Sequence, residues 1–486
     1  MAVPTLFGSA VFASTAAGQA LTGNQIYSHV TALANGHFAL AWNGDSSQEV
    51  AFFKANGVEA GAGTAFYSVT NGTLGALNSQ IGLAALSDGR VVAAWSNNTV
   101  TAADSGEVQW AYFTETEGMG AVNTIVRSGY QGELTVASTN NGRFVLVGKF
   151  DGGSDFDSGR ISAFSGLGSS SGFFSSNGVI TTNTGVQEQP NVITLANGNY
   201  YMVTIDRSNN SISGCMMDTT GARGGVNVLT PAGEAPDDPI EQRDTIALTA
   251  LANGGFAMAW KVGSALHYRL YDSNFAPTTG VLSSTSITAI YEPALVALQD
   301  GRMMLISTKS GFGISGQLIK ADGTLDGTAF QISADGFVPS AAVLADGRVA
   351  VSYTVNGTSF DVKYQIVDPR ESGLYGVSAT DGADEWYGTA FADFTLMGGG
   401  NDTFDAGAGV DFIYGEDGND TLIGGAGGDT LIGGNGNDTL NGDADNDALH
   451  GDGGTDTLNG GDGDDILYGG AGADALNGGN GFDYAS

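Results

Sequence analysis

From Ala379 to Ser486 every ninth residue is aspartate: Asp384, Asp393, Asp402, Asp411, Asp420, Asp429, Asp438, Asp447, Asp456, Asp465, Asp474 and Asp483. Twelve nonapeptides fill this stretch without a gap, and the best formed read Gly-Gly-x-Gly-x-Asp-x-Leu-x (424–432, 433–441, 460–468 and 469–477). Carboxylates set at fixed spacing among glycine turns offer a cation aspartate oxygens and backbone carbonyls. No histidine or cysteine stands at a repeat-defining position, and His450, the sole imidazole here, takes the variable ninth place. All-oxygen, carbonyl-rich coordination suits Ca²⁺, whereas Mg²⁺ holds on to its waters. Glycine lets the backbone fold tightly enough to aim carbonyls at an ion. A disordered acidic Gly/Asp linker is the alternative, but a linker has no use for the apolar residue that recurs at position eight.

That residue shows what must position the carboxylates. Phe404, Ile413, Leu422, Leu431, Leu440, Leu449, Leu458, Leu467 and Leu476 occupy the eighth place. A three-residue strand with one inward side chain, followed by a six-residue glycine turn, makes half a coil. Two nonapeptides then close one turn of eighteen residues, and each apolar side chain stacks on the one eighteen positions away. Neighbouring strands lie about 4.8 Å apart, which lines up the aspartates of successive coils. Like charges roughly 5 Å apart repel by about 3 kcal/mol at an effective dielectric near 20, so the coil is expected to require a cation between them.

The segment resembles the RTX (repeats-in-toxin) family across all twelve units, most specifically over 415–477. The resemblance implies a parallel β-helix (β-roll) binding several Ca²⁺ ions. It also implies that aspartates and carbonyls of one repeat share each ion with the repeat two further on. Carried over, Asp402 pairs with Asp420, Asp411 with Asp429, and so on to Asp465 with Asp483. The implied metal-site residues are Asp402, Asp411, Asp420, Asp429, Asp438, Asp447, Asp456, Asp465, Asp474 and Asp483, with the turn glycines Gly400, Gly409, Gly418, Gly427, Gly436, Gly454, Gly463 and Gly472. Phe391 and Asp445 replace the fourth-position glycine, Thr395 and Ala485 fill the apolar slot, and Met397 replaces the first glycine. The first two units are therefore expected to form a capping coil rather than full calcium sites. The family further implies type I secretion with a signal beyond the repeats. The chain stops at Ser486, the last position of repeat twelve, so a fragment of a longer protein is expected in preference to an unconventional signal.

Composition narrows the partners. Net charge is −35, and 23 of the 52 acidic residues follow Arg370, after which there is no Lys or Arg. Such a balance argues against nucleic acid or an anionic membrane. Cys215 is the only cysteine, so no internal disulfide forms, and calcium is expected to staple the fold instead. No apolar run approaches the roughly 20 residues of a membrane span. Met1–Ala20 faintly suggests a signal peptide but lacks a basic residue and contains Pro4, Gly8 and Gly18.

The first 370 residues repeat with a longer period. Two apolar strands flank an Asn-Gly or Asp-Gly turn, as in Leu33-Ala-Asn-Gly-His-Phe-Ala-Leu-Ala-Trp42, Leu86-Ser-Asp-Gly-Arg-Val-Val-Ala-Ala-Trp95 and Leu251-Ala-Asn-Gly-Gly-Phe-Ala-Met-Ala-Trp260. The anchor glycines 36, 89, 142, 198, 254, 301 and 347 are 53, 53, 56, 56, 47 and 46 apart. Asn-Gly and Asp-Gly between apolar runs predict hairpins with type I′ turns. Third strands (Val50–Lys54, Val108–Tyr112, Leu266–Leu270, Phe360–Tyr364) and fourth strands (Gly63–Tyr67, Gly327–Gln331) follow. Four antiparallel strands about every 50 residues describe a β-propeller blade. Copy seven lacks a fourth strand, and Gly8–Phe12 fits that pattern, so the amino-terminal strand is expected to complete the last blade. An open β-sandwich array is the runner-up. The repeat also loosely resembles the Leu-Ala-Asp-Gly-Gly-Phe-x-Val-x-Trp repeats of large secreted bacterial RTX proteins.

Signals for catalysis are sparse. There is no His-Glu-x-x-His, and His29, His37, His267 and His450 are scattered. Gly168-Ser-Ser-Ser-Gly172 lacks the strand-to-helix context of a nucleophile elbow. Asp151-Gly-Gly-Ser-Asp-Phe-Asp157 reads as a solvated acidic loop before it reads as a cation site. Trp42, Trp95 and Trp260 share one register and read as blade packing before a sugar platform, and Cys215 reads as an inert small hydrophobe.

The sequence thus predicts an all-β chain: a seven-bladed β-propeller over 1–370, a linker at 371–378 and an RTX parallel β-helix (β-roll) of twelve nonapeptides over 379–486. The expected function is that of a secreted, extracellular bacterial calcium-binding protein whose tail folds on meeting Ca²⁺ outside the cell. Its expected partners are calcium, type I export machinery for the full-length protein, and an extracellular glycan or surface protein at the propeller. An extracellular hydrolase or lyase acting in the propeller mouth is the alternative, and a calcium-dependent surface-layer or matrix component is a third.

Overall fold

A computed structural model describes the chain except residues 1–4, 13–25, 45–46, 55–65, 71–80, 98–104, 116–117, 129, 139–143, 152–158, 167–173, 177–186, 207–209, 219–222, 231–245, 289–292, 310, 312, 357–359, 371–374 and 390. Every regular element among the described residues is a strand. The hairpin around Asn141, the serine stretch at 168–172 and all but Asp151 of the acidic loop at 151–157 lie outside the described residues.

Among the described residues seven antiparallel sheets come first. Their leading strands (Ile26–Ala32, Ile81–Ala85, Tyr130–Ser138, Gln187–Thr194, Ile246–Ala250, Ala294–Ala297 and Phe337–Val343) each lie beside the next, and the last lies beside the first. The result is a ring, not an open array. Thr5–Phe12 pairs antiparallel with Phe360–Asp368, Thr5 opposite Asp368 and Phe12 opposite Lys363, as the outer strand of the last sheet. One sheet gains a fifth strand, the short Gly118–Met119.

Apolar clusters fill the spaces between sheets. Phe38, Leu40, Trp42 and Phe53 of the first sheet pack with Leu344, Tyr364 and Ile366 of the last, which joins the two ends of the ring. Blade strands are covered on both faces, so Phe38–Asn43 is buried at all six positions and reads as a continuous apolar run rather than an alternating one. Trp42, Trp95 and Trp260 are wholly buried in three such interfaces. Hydroxyls add polar staples between leading strands. Thr31 Oγ1 accepts from Ala85 N–H at 3.2 Å, Thr249 Oγ1 from Ala297 N–H at 2.9 Å, and Ser340 Oγ from Val30 N–H at 3.3 Å.

The hairpins differ from the type I′ expectation. Gly36, Gly89, Gly198, Gly254, Gly301 and Gly347 have φ between 80° and 87°, but the preceding Asn or Asp does not take positive φ. In the first hairpin Gly36 N–H donates to Leu33 C=O and Leu33 N–H to His37 C=O, a three-residue loop with a glycine bulge. The Asn or Asp side chain explains the choice, because its Oδ1 accepts the amide N–H two residues on: Asn35 from His37, Asp88 from Arg90, Asp300 from Arg302, Asp346 from Arg348. That bond stabilises the right-handed conformer at the Asn or Asp and leaves the left-handed one to glycine.

The carboxy-terminal part is a two-sheeted parallel coil, seven strands on one side and six on the other. The register is eighteen residues: Leu422 lies opposite Leu440 and Leu440 opposite Leu458, while Leu431, Leu449 and Leu467 align in the other sheet. Their side chains form one buried file with Trp386, Phe404 and Ile413. Many strands are longer than the three residues expected. Thr421–Ala426 continues through Gly424-Gly425, with pairing resumed at Gly425 opposite Asp443. Glycine absorbs the bend there, so the ladder carries on into the next repeat. Tyr375–Ser378, expected to be linker, is the first strand of the larger parallel sheet and pairs with Phe394–Leu396.

The coil docks directly on hairpins of the first and last blades. Glu385 N–H donates to Asn35 C=O at 3.3 Å, and Lys54 Nζ reaches Glu385 Oε2 at 2.6 Å. A Cβ on Gly36 would overlap the Glu385 carbonyl. Arg370 holds Asp368 and donates to the carbonyls of Asp346, Tyr387 and Gly388, and the Arg348 guanidinium lies 4.3 Å over the Tyr387 ring.

Candidate metal centre

Each repeat-position aspartate immediately precedes a strand, and the eighteen-residue register sets it above its counterpart one coil away. From Asp402 onward its Oδ1 accepts the backbone N–H of the aspartate eighteen residues earlier. Asp384 donates to Asp402, Asp402 to Asp420, Asp420 to Asp438 and Asp438 to Asp456 at 2.8–2.9 Å. The opposite row runs Asp393 to Asp411, Asp411 to Asp429, Asp429 to Asp447 and Asp447 to Asp465 at 2.7–2.9 Å. At the far end Asp474 and Asp483 accept from Asp456 and Asp465 at 3.0 and 3.2 Å.

The second oxygen behaves differently. Oδ2 of Asp402, Asp411, Asp420, Asp429, Asp438, Asp447, Asp456 and Asp465 is buried and has no hydrogen-bond partner. Leaving a buried carboxylate oxygen unpaired costs a few kcal/mol, so eight in consecutive repeats are not incidental. Glycine at the first position makes room for them: a Cβ at Gly415, Gly424, Gly433, Gly451 or Gly460 would overlap the Oδ2 five residues on. Glycine at the fourth position lets carbonyls stack. Gly418, Gly427, Gly436, Gly454 and Gly472 have φ from 122° to 155°, and a Cβ there would overlap the carbonyl oxygen eighteen residues earlier. Asp445, at the fourth position of the eighth repeat, takes φ 77° without glycine's freedom.

Burial raises these carboxyls above their ordinary range. Asp402, Asp429 and Asp438 are pushed up to about 6, and Asp411 and Asp447 to about 7. Desolvation is the main cause, opposed by the amide donated to each and reinforced by neighbouring aspartates. A divalent cation reverses that balance, and the donor set matches a hard one. Among the described residues no three His, Cys, Asp or Glu side chains gather at a point; an ion here would be held by single carboxylates together with stacked carbonyls. Thiolate and imidazole sites of the zinc type do not fit. His450 packs against the Tyr468 ring instead.

In the first two repeats Oδ2 is satisfied from within. Thr380 N–H and Oγ1 reach Asp384 Oδ2 at 2.7 and 2.8 Å. Thr389 N–H reaches Asp393 Oδ2 at 2.7 Å, and its Oγ1 reaches Asp393 Oδ1 at 3.1 Å. These threonines are not among the residues expected from the repeat pattern. The signal was present, since both stand at the second position where glycine is usual.

The remaining candidates sit in the propeller's packing. His37 pairs with Glu115 at 2.9 Å beside Glu385. His267 stacks on Trp260 and bonds Ser283. Burial lowers His29 to about 4. Cys215 is buried and free of any disulfide.

A ring of antiparallel sheets carrying a parallel coil with buried aspartate rows defines a β-propeller joined to a calcium-repeat solenoid. Residues 398–431, 423–458 and 450–485 match the family profile of the RTX calcium-binding nonapeptide repeat, and this part of the chain is of that type. Comparison with curated proteins finds no matching sequence. Solved structures similar to the chain include the alpha-L-arabinanase of Penicillium chrysogenum complexed with arabinobiose, at 16% identity over 60% of this chain and 93% of that one, TM-score 0.41. The polysaccharide lyase Uly1 is 12% identical over 72% and 90%, TM-score 0.46. The Aleuria aurantia lectin, described as a six-bladed β-propeller, is 11% identical over 64% and 97%, TM-score 0.39. Likeness at this level says nothing of activity.

Proposed function

We propose that the roll binds several Ca²⁺ ions through Asp402, Asp411, Asp420, Asp429, Asp438, Asp447, Asp456 and Asp465, aided by Asp474 and Asp483 and by turn carbonyls at Gly400, Gly409, Gly418, Gly427, Gly436, Gly454, Gly463 and Gly472. The observation that carries this reading is the partnerless, buried Oδ2 in eight consecutive repeats. Bound calcium would supply the positive charge that these oxygens lack. The aspartate amides fix each carboxylate through Oδ1, the first-position glycines keep space beside Oδ2, and the leucine file excludes water from the interior.

Calcium binding is then coupled to coiling. Where calcium is scarce, carboxylate repulsion and glycine entropy keep the tail open and threadable through an export channel. Outside the cell, calcium near millimolar meets sites of the 10⁻⁴–10⁻³ M class. On this reading the protein is secreted and extracellular. The propeller is its binding module, offering a surface to a glycan or a surface protein, a role supported by architecture alone.

Circular dichroism of the full chain in chelator and across a calcium titration, with calorimetric ion counting, tests the calcium reading. A cooperative gain of β signal with several ions bound is expected. A roll equally formed at every calcium level would refute it. A glycan array run beside ester and polysaccharide activity assays tests the propeller's role, and turnover of a substrate would replace binding with catalysis.

A further inference from the structure

The structure assigns the first coil a role distinct from the rest: the propeller and two threonines close residues 379–396 without calcium, and this preformed coil templates the roll outward toward the carboxy terminus. The inference rests on the calcium reading above and adds where coiling begins.

The contrast is between atoms of the same kind. Oδ2 is orphaned in every repeat from Asp402 to Asp465, yet in Asp384 and Asp393 it accepts an amide from Thr380 or Thr389. The hydroxyls add a second bond, to Oδ2 of Asp384 and to Oδ1 of Asp393. The oxygens that later repeats leave for an ion are thus occupied by protein donors. Asp384 keeps one unpartnered oxygen, Oδ1, because no earlier coil precedes it to donate an amide.

Charge follows the same division. Arg370 is the last Lys or Arg in the chain, and its guanidinium caps the Tyr387 and Gly388 carbonyls at 2.9 and 2.6 Å, at the entry to the second repeat. Burial opposes that charge, but Asp368, Asp346 and Asp393 outweigh it. Lys54 neutralises Glu385 at 2.6 Å. The first coil therefore draws its cations from the propeller, whereas the later coils carry no Lys or Arg of their own and feel a propeller cation only at Asp405, from Arg348.

Templating follows from geometry. The Asp384 and Asp393 amides donate to Asp402 and Asp411, so a fixed first coil presents two oriented donors and a strand edge to the second coil before any ion arrives. Fixing the edge in advance removes the costly step of starting a coil from open chain.

Hydrogen exchange of the full chain read by mass spectrometry, in chelator and in calcium, tests this. Peptides within 379–396 are expected to be protected in both conditions, and those within 397–486 only in calcium. The double variant Thr380→Gly, Thr389→Gly is expected to lose first-coil protection in chelator and to raise the calcium midpoint of 397–486 roughly fivefold, the scale of one lost buried hydrogen bond. Thr380→Ser, Thr389→Ser keeps both donors and is expected to restore chelator-resistant protection. Protection of 303–356 in each variant reports that the propeller remains folded. If 379–396 exchanges in chelator as fast as 397–486, and calcium protects both, the template inference fails while the calcium reading stands. If the glycine variant keeps first-coil protection in chelator, the threonine role fails. If 397–486 ignores calcium, both readings fall.

Discussion

The amide of Asp420 donates to Oδ1 of Asp438 at 2.8 Å, while Oδ2 of the same Asp438 is buried with no partner. One oxygen thus joins two coils through the backbone, and the other is held free inside the turn. Because the register is eighteen residues on both sheets, the arrangement repeats as two rows down the roll.

Asp438→Asn separates these roles. The amide oxygen still accepts the Asp420 N–H, but the negative charge at Oδ2 is gone. We expect fewer ions bound in calorimetry and a calcium midpoint raised by roughly tenfold, since one site at tenfold excess over its dissociation constant adds about 1.4 kcal/mol. In chelator the variant coil is expected to be the more stable, because a buried charge has been removed. An unchanged ion count and midpoint would remove Asp438 from the site.

Acid is expected to mimic calcium. Burial raises Asp411 and Asp447 to about 7 and Asp402, Asp429 and Asp438 to about 6 in the coil, against about 3.9 in an open chain. A carboxyl whose folded value is raised favours the coil fully below the open-chain value and loses that contribution as pH rises through the folded one. In chelator, β signal is therefore expected to grow as pH falls from about 8 to about 5. In calcium the midpoint is expected to rise over the same interval, because protons and ions compete for the same oxygens. A chelator signal flat with pH would contradict the burial that the structure gives these groups.

Glycine positions divide sharply. Gly436 has φ 144° and sits against the Gly418 carbonyl, so Gly436→Ala demands both strained backbone and separation of two coils. A loss of roughly 3 kcal/mol or more is expected. Asp445, at the equivalent turn position, takes φ 77° and raises Asp429 and Asp447 by its charge. Asp445→Gly is expected to stabilise the roll by about 1 kcal/mol. Thermal melts in calcium should move in opposite directions for the two variants.

The nine-residue period made the coil legible, because a single inward side chain and a fixed register leave one way to stack Leu422, Leu440 and Leu458. The hairpin sites were legible from Asn-Gly and Asp-Gly, but their turn type was not. That dipeptide suits two loops, and a side-chain bond such as Asp346 Oδ1 to Arg348 N–H decides between them. The Thr380 and Thr389 caps were hidden for a related reason: a threonine in a glycine slot looks like decay until its donors are seen to meet a carboxylate. The Arg370 contacts to Tyr387 and Gly388 are tertiary, and no local pattern announces them.

The ring's closure gives the last prediction. Thr5–Phe12 covers the edge of Phe360–Asp368, and that strand is continuous through Asp368 with the Arg370 junction to the roll. Removing residues 1–12 exposes the hydrogen-bonding groups of a strand whose side chains Val362, Tyr364 and Ile366 sit in the interface between last and first blades. An open, apolar edge invites pairing with another chain. We expect the truncated protein to melt at lower temperature and to show oligomers in light scattering, with the calcium response of the roll retained. A melting temperature equal to that of the intact chain would mean that the ring holds without its outer strand.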